Sequence, residues 1–303
     1  MTSVIKATKT LAAIEAAMQA DQGAAYRVWL GRVLPHIGDA YRGEEDGFRT
    51  HLGGSLLGRK CARELWYGFH WWKKSKHSGK TLRLFNRGHL EEGRFIALLL
   101  MIGCKVVQQD EQGNQLRITH AGGHVGGSLD GSLYGCPDLP DGYICLTEFK
   151  THGEKSFRKL EAEGVRSAKF EHFVQMQIYM KKRGYGAALY LAVNKNTDEL
   201  YGEVIPLDSH IADEYLNRGE RIVFSDKAPQ RISKTPGWYE CTFCDFKDNC
   251  FKGEYPDKNC RTCHYSVVCP NGTWMCMFAF NEEVLPKEKQ LIGCEHYRPL
   301  MTE

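Results

Sequence analysis

The chain has 303 residues, 42% of them hydrophobic and 25% charged, a balance that excludes disordered and fibrous classes and leaves room for one substantial core plus a small second unit. A formal charge of +3 selects no class of partner, since nucleic-acid binding follows where charge clusters rather than its total. With no signal core at the N-terminus and no apolar run beyond Ile96 to Ile102, a cytoplasmic protein without membrane contact is expected, and its twelve cysteines point to metal or cluster ligation rather than disulfides.

From the N-terminus, Leu11, Ile14, Ala17 and Met18 fall at helical spacing, which predicts a helical lead-in over residues 1–50. A loop rich in glycine and charge ends near Thr50, and the second half of HLGGSLLGRKCARELWYGFHWWKK reads as a helix. A further helical pattern covers Leu84 to Ile102, with Asn86 as candidate N-cap and Gly103 as stop. Alternating segments at Leu116–Thr119, Val125–Tyr134 and Tyr143–Lys150, divided by Gly, Pro and Asp, predict a strand meander. Phe170–Arg183 reads as a helix and Ala187–Val193 as a strand. The order helix, three strands, helix, strand suits an α/β (α+β) mixed sheet flanked by helices. After about Tyr255 apolar runs are too sparse to hold a core unaided.

In YICLTEFKT, alternation puts Ile144, Leu146, Glu148 and Lys150 on one face. A carboxylate and an ammonium ending an apolar row are costly to bury unless paired or bound to metal. Eighteen residues before Glu148, Asp130 closes the glycine-rich VGGSLD. Two carboxylates supply the oxygen donors that magnesium or manganese requires, and a lysine can orient a nucleophile or offset charge developing on a phosphate. A surface ion pair and a turn are the bland alternative. On the wheel of Phe170–Arg183, Glu171, His172, Gln175 and Tyr179 gather opposite a broad apolar arc. On the earlier helix Glu92 shares a stripe with Ile96 and Leu99, where a carboxylate could complete a metal shell. His89 and Glu91 read instead as a polar first turn.

RGHLEEG, GGSLDG, LTEFKT and QMQIY occur in an order that resembles the RecB-like branch of the PD-(D/E)XK nucleases, over roughly residues 50–250. The likeness is strongest to phage-encoded and CRISPR-associated exonucleases. It implies a restriction-endonuclease-like mixed sheet, magnesium or manganese on Glu92, Asp130 and Glu148, a catalytic Lys150, and a Q-x-x-x-Y motif at Gln175 and Tyr179. Many relatives carry histidine at the place of Glu92.

Eight of the cysteines lie between Cys241 and Cys294, whereas Cys61, Cys104, Cys136 and Cys145 are scattered. Cys241, Cys244 and Cys250 form a C-x2-C-x5-C group one ligand short of a tetrathiolate. In the relatives an upstream cysteine followed by an arginine and a Trp-Tyr pair completes a four-iron four-sulfur (4Fe-4S) cluster, and Cys61, Arg63, Trp66 and Tyr67 match that pattern. A zinc site on the same four ligands, or inert thiols, are the alternatives. Cys260 and Cys263 form a knuckle that with Cys276 and Cys294 would make a zinc-ribbon-like unit over 255–303, with Cys269, His264 and His296 as alternates.

The expectation is a DNA exonuclease domain over 51–254, closed by the cluster. It would act on DNA ends or single strands in phage or bacterial recombination, repair or processing, with a recombination or replication protein as a possible partner. Arg59, Lys60, Arg63, Trp66, Lys73 and Lys74 are candidates for guiding the strand; Lys169, Arg183 and Lys195 receive no role. A non-cleaving DNA-binding protein is the first rival. An iron-sulfur redox enzyme is the second, and it lacks a dinucleotide fingerprint.

Overall fold

The computed structural model describes residues 4–43, 48–280 and 282–301. In chain order these form α1 (Thr8–Ala20), α2 (Ala24–Val33), α3 (Gly38–Tyr41), β1 (Leu52–Gly53), α4 (Ala62–Phe69) and α5 (Gly79–Met101). Then come β2 (Lys105–Val107), β3 (Arg117–His120), β4 (Val125–Ser128), β5 (Gly131–Tyr134), β6 (Ile144–His152), α6 (Glu154–Ala168), α7 (Phe170–Arg183), β7 (Ala187–Asn194), β8 (Leu200–Pro206) and α8 (Ser209–Val223). The chain ends with α9 (Tyr239–Thr242), α10 (Lys247–Lys252), β9 (Ser266–Val268), β10 (Trp274–Cys276), β11 (Glu283–Val284) and α11 (Lys287–Ile292). No helix among the described residues is long and apolar enough to cross a membrane.

Two compact units result, both discontinuous in sequence. The first gathers Met1–Glu45, His77–Ile118 and Ser128–Ala212; the second gathers Asp46–Lys76, Thr119–Gly127 and Asp213–Glu303.

The first unit is a mixed sheet flanked by helices, in the order β2-β5-β6-β7-β8. β6 and β7 are parallel, and the other neighbours are antiparallel. The parallel pair needs a long crossover, which α6 and α7 supply. Odd-numbered residues of the central strands face α5. Phe95 stacks on Phe149 with centroids 5.1 Å apart, and Ile96, Leu99, Leu133, Cys145, Leu189 and Leu191 complete that core. Even-numbered residues face α7, whose Gln175 reaches Glu148.

Several boundaries differ from the sequence expectation. The long helix starts at an N-cap on Ser78, whose hydroxyl accepts the Thr81 amide, and Asn86 instead donates to the Ala40 carbonyl. His89 and Glu91 are therefore mid-helix, and Glu91 is held by Arg94 at 3.1 Å. Val125–Tyr134 breaks at Leu129–Asp130 into β4 and β5, so only β5 and β6 of the expected meander are neighbours in the main sheet, with β2 as the third. On α7 every residue from Phe173 to Met180 is inside, so Gln175 and Tyr179 of the expected polar side are buried while Glu171 stays exposed.

In the second unit β9, β10 and β11 form a small antiparallel sheet, and β1 pairs parallel with β4 through Leu52 and Val125. Arg261 organises this unit. Its guanidinium lies 3.9 Å from the Trp71 ring centroid and 4.7 Å from that of Trp274, and it donates to Gln290, Phe69 and Thr50. Burial pushes its pKa down to about 9, and the aromatic faces and three acceptors offset the cost of desolvating the cation.

Arg261→Ala leaves three acceptors and an aromatic cage without their cation and should cost about 3 kcal/mol. Guanidinium denaturation followed by tryptophan fluorescence checks this; a midpoint shift worth less than about 1 kcal/mol would mean that the aromatic packing alone holds the unit.

Candidate functional site

The first unit brings the expected acidic and basic residues together around the start of β5 and the middle of β6. Leu129 is anchored by its amide to the Leu116 carbonyl at 2.9 Å, which fixes the turn into Asp130. One Asp130 carboxylate oxygen accepts the Phe149 amide at 2.8 Å, so a side chain at the head of β5 is tied to the backbone of β6. The pairing of Gly131 with Thr147 requires a glycine after the aspartate. A Cβ there would meet Val106 at 2.9 Å and the Thr147 hydroxyl at 3.1 Å, closer than side chains pack without displacement.

Glu148 is only 1% exposed, which removes the surface ion-pair alternative. One of its oxygens accepts from Lys150 Nζ and the other from Gln175 Nε2 at 2.9 Å. Burial, and then the Asp130 charge, push its pKa up to about 7 against the pull of Lys150 and Gln175. Glu92, on α5, accepts from Gln108 Nε2 at 2.6 Å. Burial first, then Asp130 and Asp39, push it up to about 8. Burial opposes the charge on Lys150, but Glu148, Asp130 and Glu92 outweigh it and hold the ammonium above its ordinary range. Tyr179, one helical turn beyond Gln175, is buried at 2% exposure.

Gln108 was missed in the sequence, and nothing in the segment just after β2 signals a role. His152 and Tyr190 carried a signal. His152 continues the alternation of Glu148 and Lys150, and the β6–β7 register sets Tyr190 opposite Glu148.

The second unit holds both cysteine groups. Cys61, Cys241, Cys244 and Cys250 line one small hollow, together with Arg63, Tyr67 and Arg231. The segment before Cys61 is pinned by Arg218, which donates to the Leu57 and Lys60 carbonyls, and by the Lys60–Glu240 ion pair at 2.6 Å. Burial raises the Cys241, Cys244 and Cys250 thiols, with Cys61 contributing to each. At the second group, burial first and then Cys263, Cys294 and Cys276 push Cys260 up to about 11. The three thiols acting on Cys260 are the expected ones. Cys269 sits in the β9–β10 turn, and His296 stacks on Phe278 at 4.1 Å.

All twelve cysteines are free thiols. Among the described residues no three His, Cys, Asp or Glu side chains stand drawn in to metal-ligating distance. The donor chemistry nevertheless fits cations: carboxylates opposed by a neighbouring carboxylate suit a hard ion, and two groups of thiols suit a softer one. Cys104, Cys136 and Cys145, scattered in sequence, meet in the core of the first unit.

Two of the residues expected to guide a strand are structural. Trp66 is 1% exposed and donates to the Ser225 carbonyl, and Arg63 is buried between Tyr67 and Pro229. Arg59 and Lys73 are paired with Glu64 and Glu254.

No protein-family model matches the chain, and no curated protein does. Among solved structures, the protein SSO0001 aligns over 74% of this chain and 95% of its own, at 16% identity and a TM-score of 0.40. An alkaline exonuclease, LHK-Exo from Laribacter hongkongensis, aligns over 65% of this chain and 90% of its own, at 15% identity and a TM-score of 0.38. LHK-Exo in complex with dAMP aligns equally. Likeness at that level assigns neither family nor activity to this chain.

Burial raises Glu148 and Glu92 in the folded chain, so the native state holds more protons between the ordinary carboxylate value of 4.5 and about 8. The metal-free protein should therefore lose stability as pH rises through that window. A cation that replaces those protons reverses the loss, so manganese should raise the melting temperature more near pH 8 than near about pH 6. Scanning fluorimetry at both pH values checks this, and an equal or larger shift at the lower pH would argue against these carboxylates as ligands.

Proposed function

We propose that the chain is a metal-dependent deoxyribonuclease that hydrolyses phosphodiester bonds at DNA ends or in single strands. The observation that carries the reading is the burial of Glu148 against Lys150 and Gln175, with Asp130 close enough to oppose the ionisation of both Glu148 and Glu92. Two buried carboxylates whose charge is opposed by a third, Asp130, are what a divalent cation stabilises.

Glu92, Asp130 and Glu148 would hold magnesium or manganese, which when bound polarises the scissile phosphate and lowers the pKa of water. Lys150 is fixed by its bond to Glu148 and would orient the attacking water or offset charge on the phosphate. Gln175 holds the second Glu148 oxygen, which fixes the plane of the carboxylate. Gln108 does the same for Glu92 from β2's C-terminal side. Tyr179, buried one helical turn beyond Gln175, completes the Q-x-x-x-Y pair of the resemblance.

The finer assignments extend the same reading. Cys61, Cys241, Cys244 and Cys250 would hold a 4Fe-4S cluster, and Cys260, Cys263, Cys276 and Cys294 a zinc ion, each binding in exchange for thiol protons. DNA is the partner. Recombination, repair or processing in a phage or bacterial setting is the context that the sequence resemblance supports.

Asp130→Asn, Glu148→Gln and Lys150→Met should each lower cleavage of end-labelled DNA in manganese by about a hundredfold to a thousandfold while far-ultraviolet dichroism is unchanged. Wild-type protein that binds DNA without cutting it would leave a binding protein as the surviving reading.

Protein purified without oxygen should be brown and contain iron and sulfide, and Cys61→Ala should lose both. Colourless wild-type protein carrying zinc at those four cysteines would replace the cluster with a zinc clip.

A further inference from the structure

Beside the carboxylates lies a chain of polar side chains that the hydrolytic reading does not use. Lys169 Nζ donates to the Ser156 hydroxyl, and Ser156 Oγ lies 3.3 Å from His152 Nδ1. His152 Nε2 is 2.9 Å from the Tyr190 hydroxyl, and His172 Nδ1 is 3.0 Å from the same oxygen. The two imidazoles are stacked, with centroids 5.9 Å apart. Both are held neutral chiefly by burial. His152 is lowered to about 4, with Lys169, Lys150 and Lys195 adding to the effect, and His172 is lowered to about 2, with Lys150, His152 and Lys169 adding to it.

Neutral imidazole carries one N–H, and a lysine can only donate. One direction of hydrogen bonding satisfies every member: Lys169 to Ser156, Ser156 to His152 Nδ1, His152 Nε2–H to the Tyr190 oxygen, and the Tyr190 hydroxyl to His172 Nδ1. This leaves the remaining Lys169 protons and the His172 Nε2–H as unused donors. Tyr190 is fully buried, whereas Lys169, Ser156 and His172 are each partly open to solvent.

The charges do not balance. Lys150 is paired with Glu148, but among the described residues no carboxylate lies within ion-pairing distance of Lys169 or Lys195. A half-buried ammonium without a counter-charge is costly, and burial has already lowered the Lys169 pKa. An anion with several acceptor oxygens would fit the surplus.

We propose that Lys169, Ser156 and His172 form a subsite for a non-scissile backbone phosphate of a DNA strand, oriented by the hydrogen-bonded chain through His152 and Tyr190. Placement beside Lys150 would hold the strand while a neighbouring phosphodiester meets Glu148 and Asp130. Phosphate contacts of this kind fix register and carry no base preference. The inference rests on the nuclease reading for its place in catalysis, but not for DNA binding itself.

The test uses the full-length protein, a fluorescent single-stranded oligonucleotide, and anisotropy in chelator across a salt series. Lys169→Gln should weaken binding about tenfold and reduce the slope of log affinity against log salt by about 0.7, the share of one single-strand phosphate contact, and Lys169→Arg should restore most of both. In manganese, Lys169→Gln should raise KM about tenfold with a smaller effect on kcat. A wild-type slope and KM in Lys169→Gln overturn the subsite even if the protein cuts DNA. A reduced slope in a protein that never cuts supports the subsite and sinks the nuclease reading instead, and wild-type protein that binds no DNA sinks both.

Discussion

Glu148 is the side chain on which the rest of the first unit depends. A carboxylate in the middle of a five-stranded sheet is tolerated only because Lys150, two residues along the same face, and Gln175, from the covering helix, each take one of its oxygens. The helix must therefore lie where Gln175 can reach, which sets the placement of α7 against β6. α7 is in turn delivered by the crossover that makes β6 and β7 parallel. Even with both partners the carboxylate sits near neutral pKa, so the fold stores an unfavourable charge at this point. Structural polar groups seldom do this. Sites that bind cations often do.

The backbone shares the same constraint. Asp130 reaches β6 through the Phe149 amide, and Phe149 is also the residue that stacks on Phe95 of α5. One residue therefore joins the core and the acidic site, its ring on one side of the sheet and its amide tied to the carboxylate. Gly131 lets β5 approach closely enough for this bond to form. A substitution that widened the β5–β6 spacing would move the Asp130 carboxylate and loosen the Phe95 contact together. Core packing and site geometry are not separable here.

Much of this was legible in the sequence, for identifiable reasons. The alternation of Ile144, Leu146, Glu148 and Lys150 is a period-two pattern that only a strand produces, and the helix Phe170–Arg183 was read to its observed ends. Other features were hidden because their causes are tertiary. On α7, Gln175 is buried against Glu148 and Gln177 against the Pro206 carbonyl and the Asp208 amide. Wheel geometry cannot tell a solvated amide from a satisfied one. α5 starts earlier than the expected Leu84, at a cap on Ser78, and its first turns project Leu82, Leu84 and Phe85 to solvent, so no buried stripe marks that start. The discontinuous units could not be read along the chain, since Arg261 bonds to Phe69 and Thr50 about two hundred residues before it.

The second unit shows how a segment poor in apolar residues can still be ordered. The knuckle cysteines Cys260 and Cys263 flank Arg261 and Thr262, both buried. Asn259 caps the intervening turn by accepting the Thr262 amide, and it donates to the Trp71 carbonyl. The turn carrying the two thiols is thus held from inside by a caged cation and from outside by an asparagine, before any ligand is considered. That arrangement lowers the entropy of bringing Cys276 and Cys294 to the same place, because half of the thiol set is already oriented. The first cysteine group follows a similar logic, with Arg218 holding the carbonyls just before Cys61. In the first group an arginine donates to carbonyls just before a thiol, and in the second an arginine lying between two thiols donates to the distant Phe69 and Thr50 carbonyls, so the protein's own hydrogen bonds position part of each sulfur set.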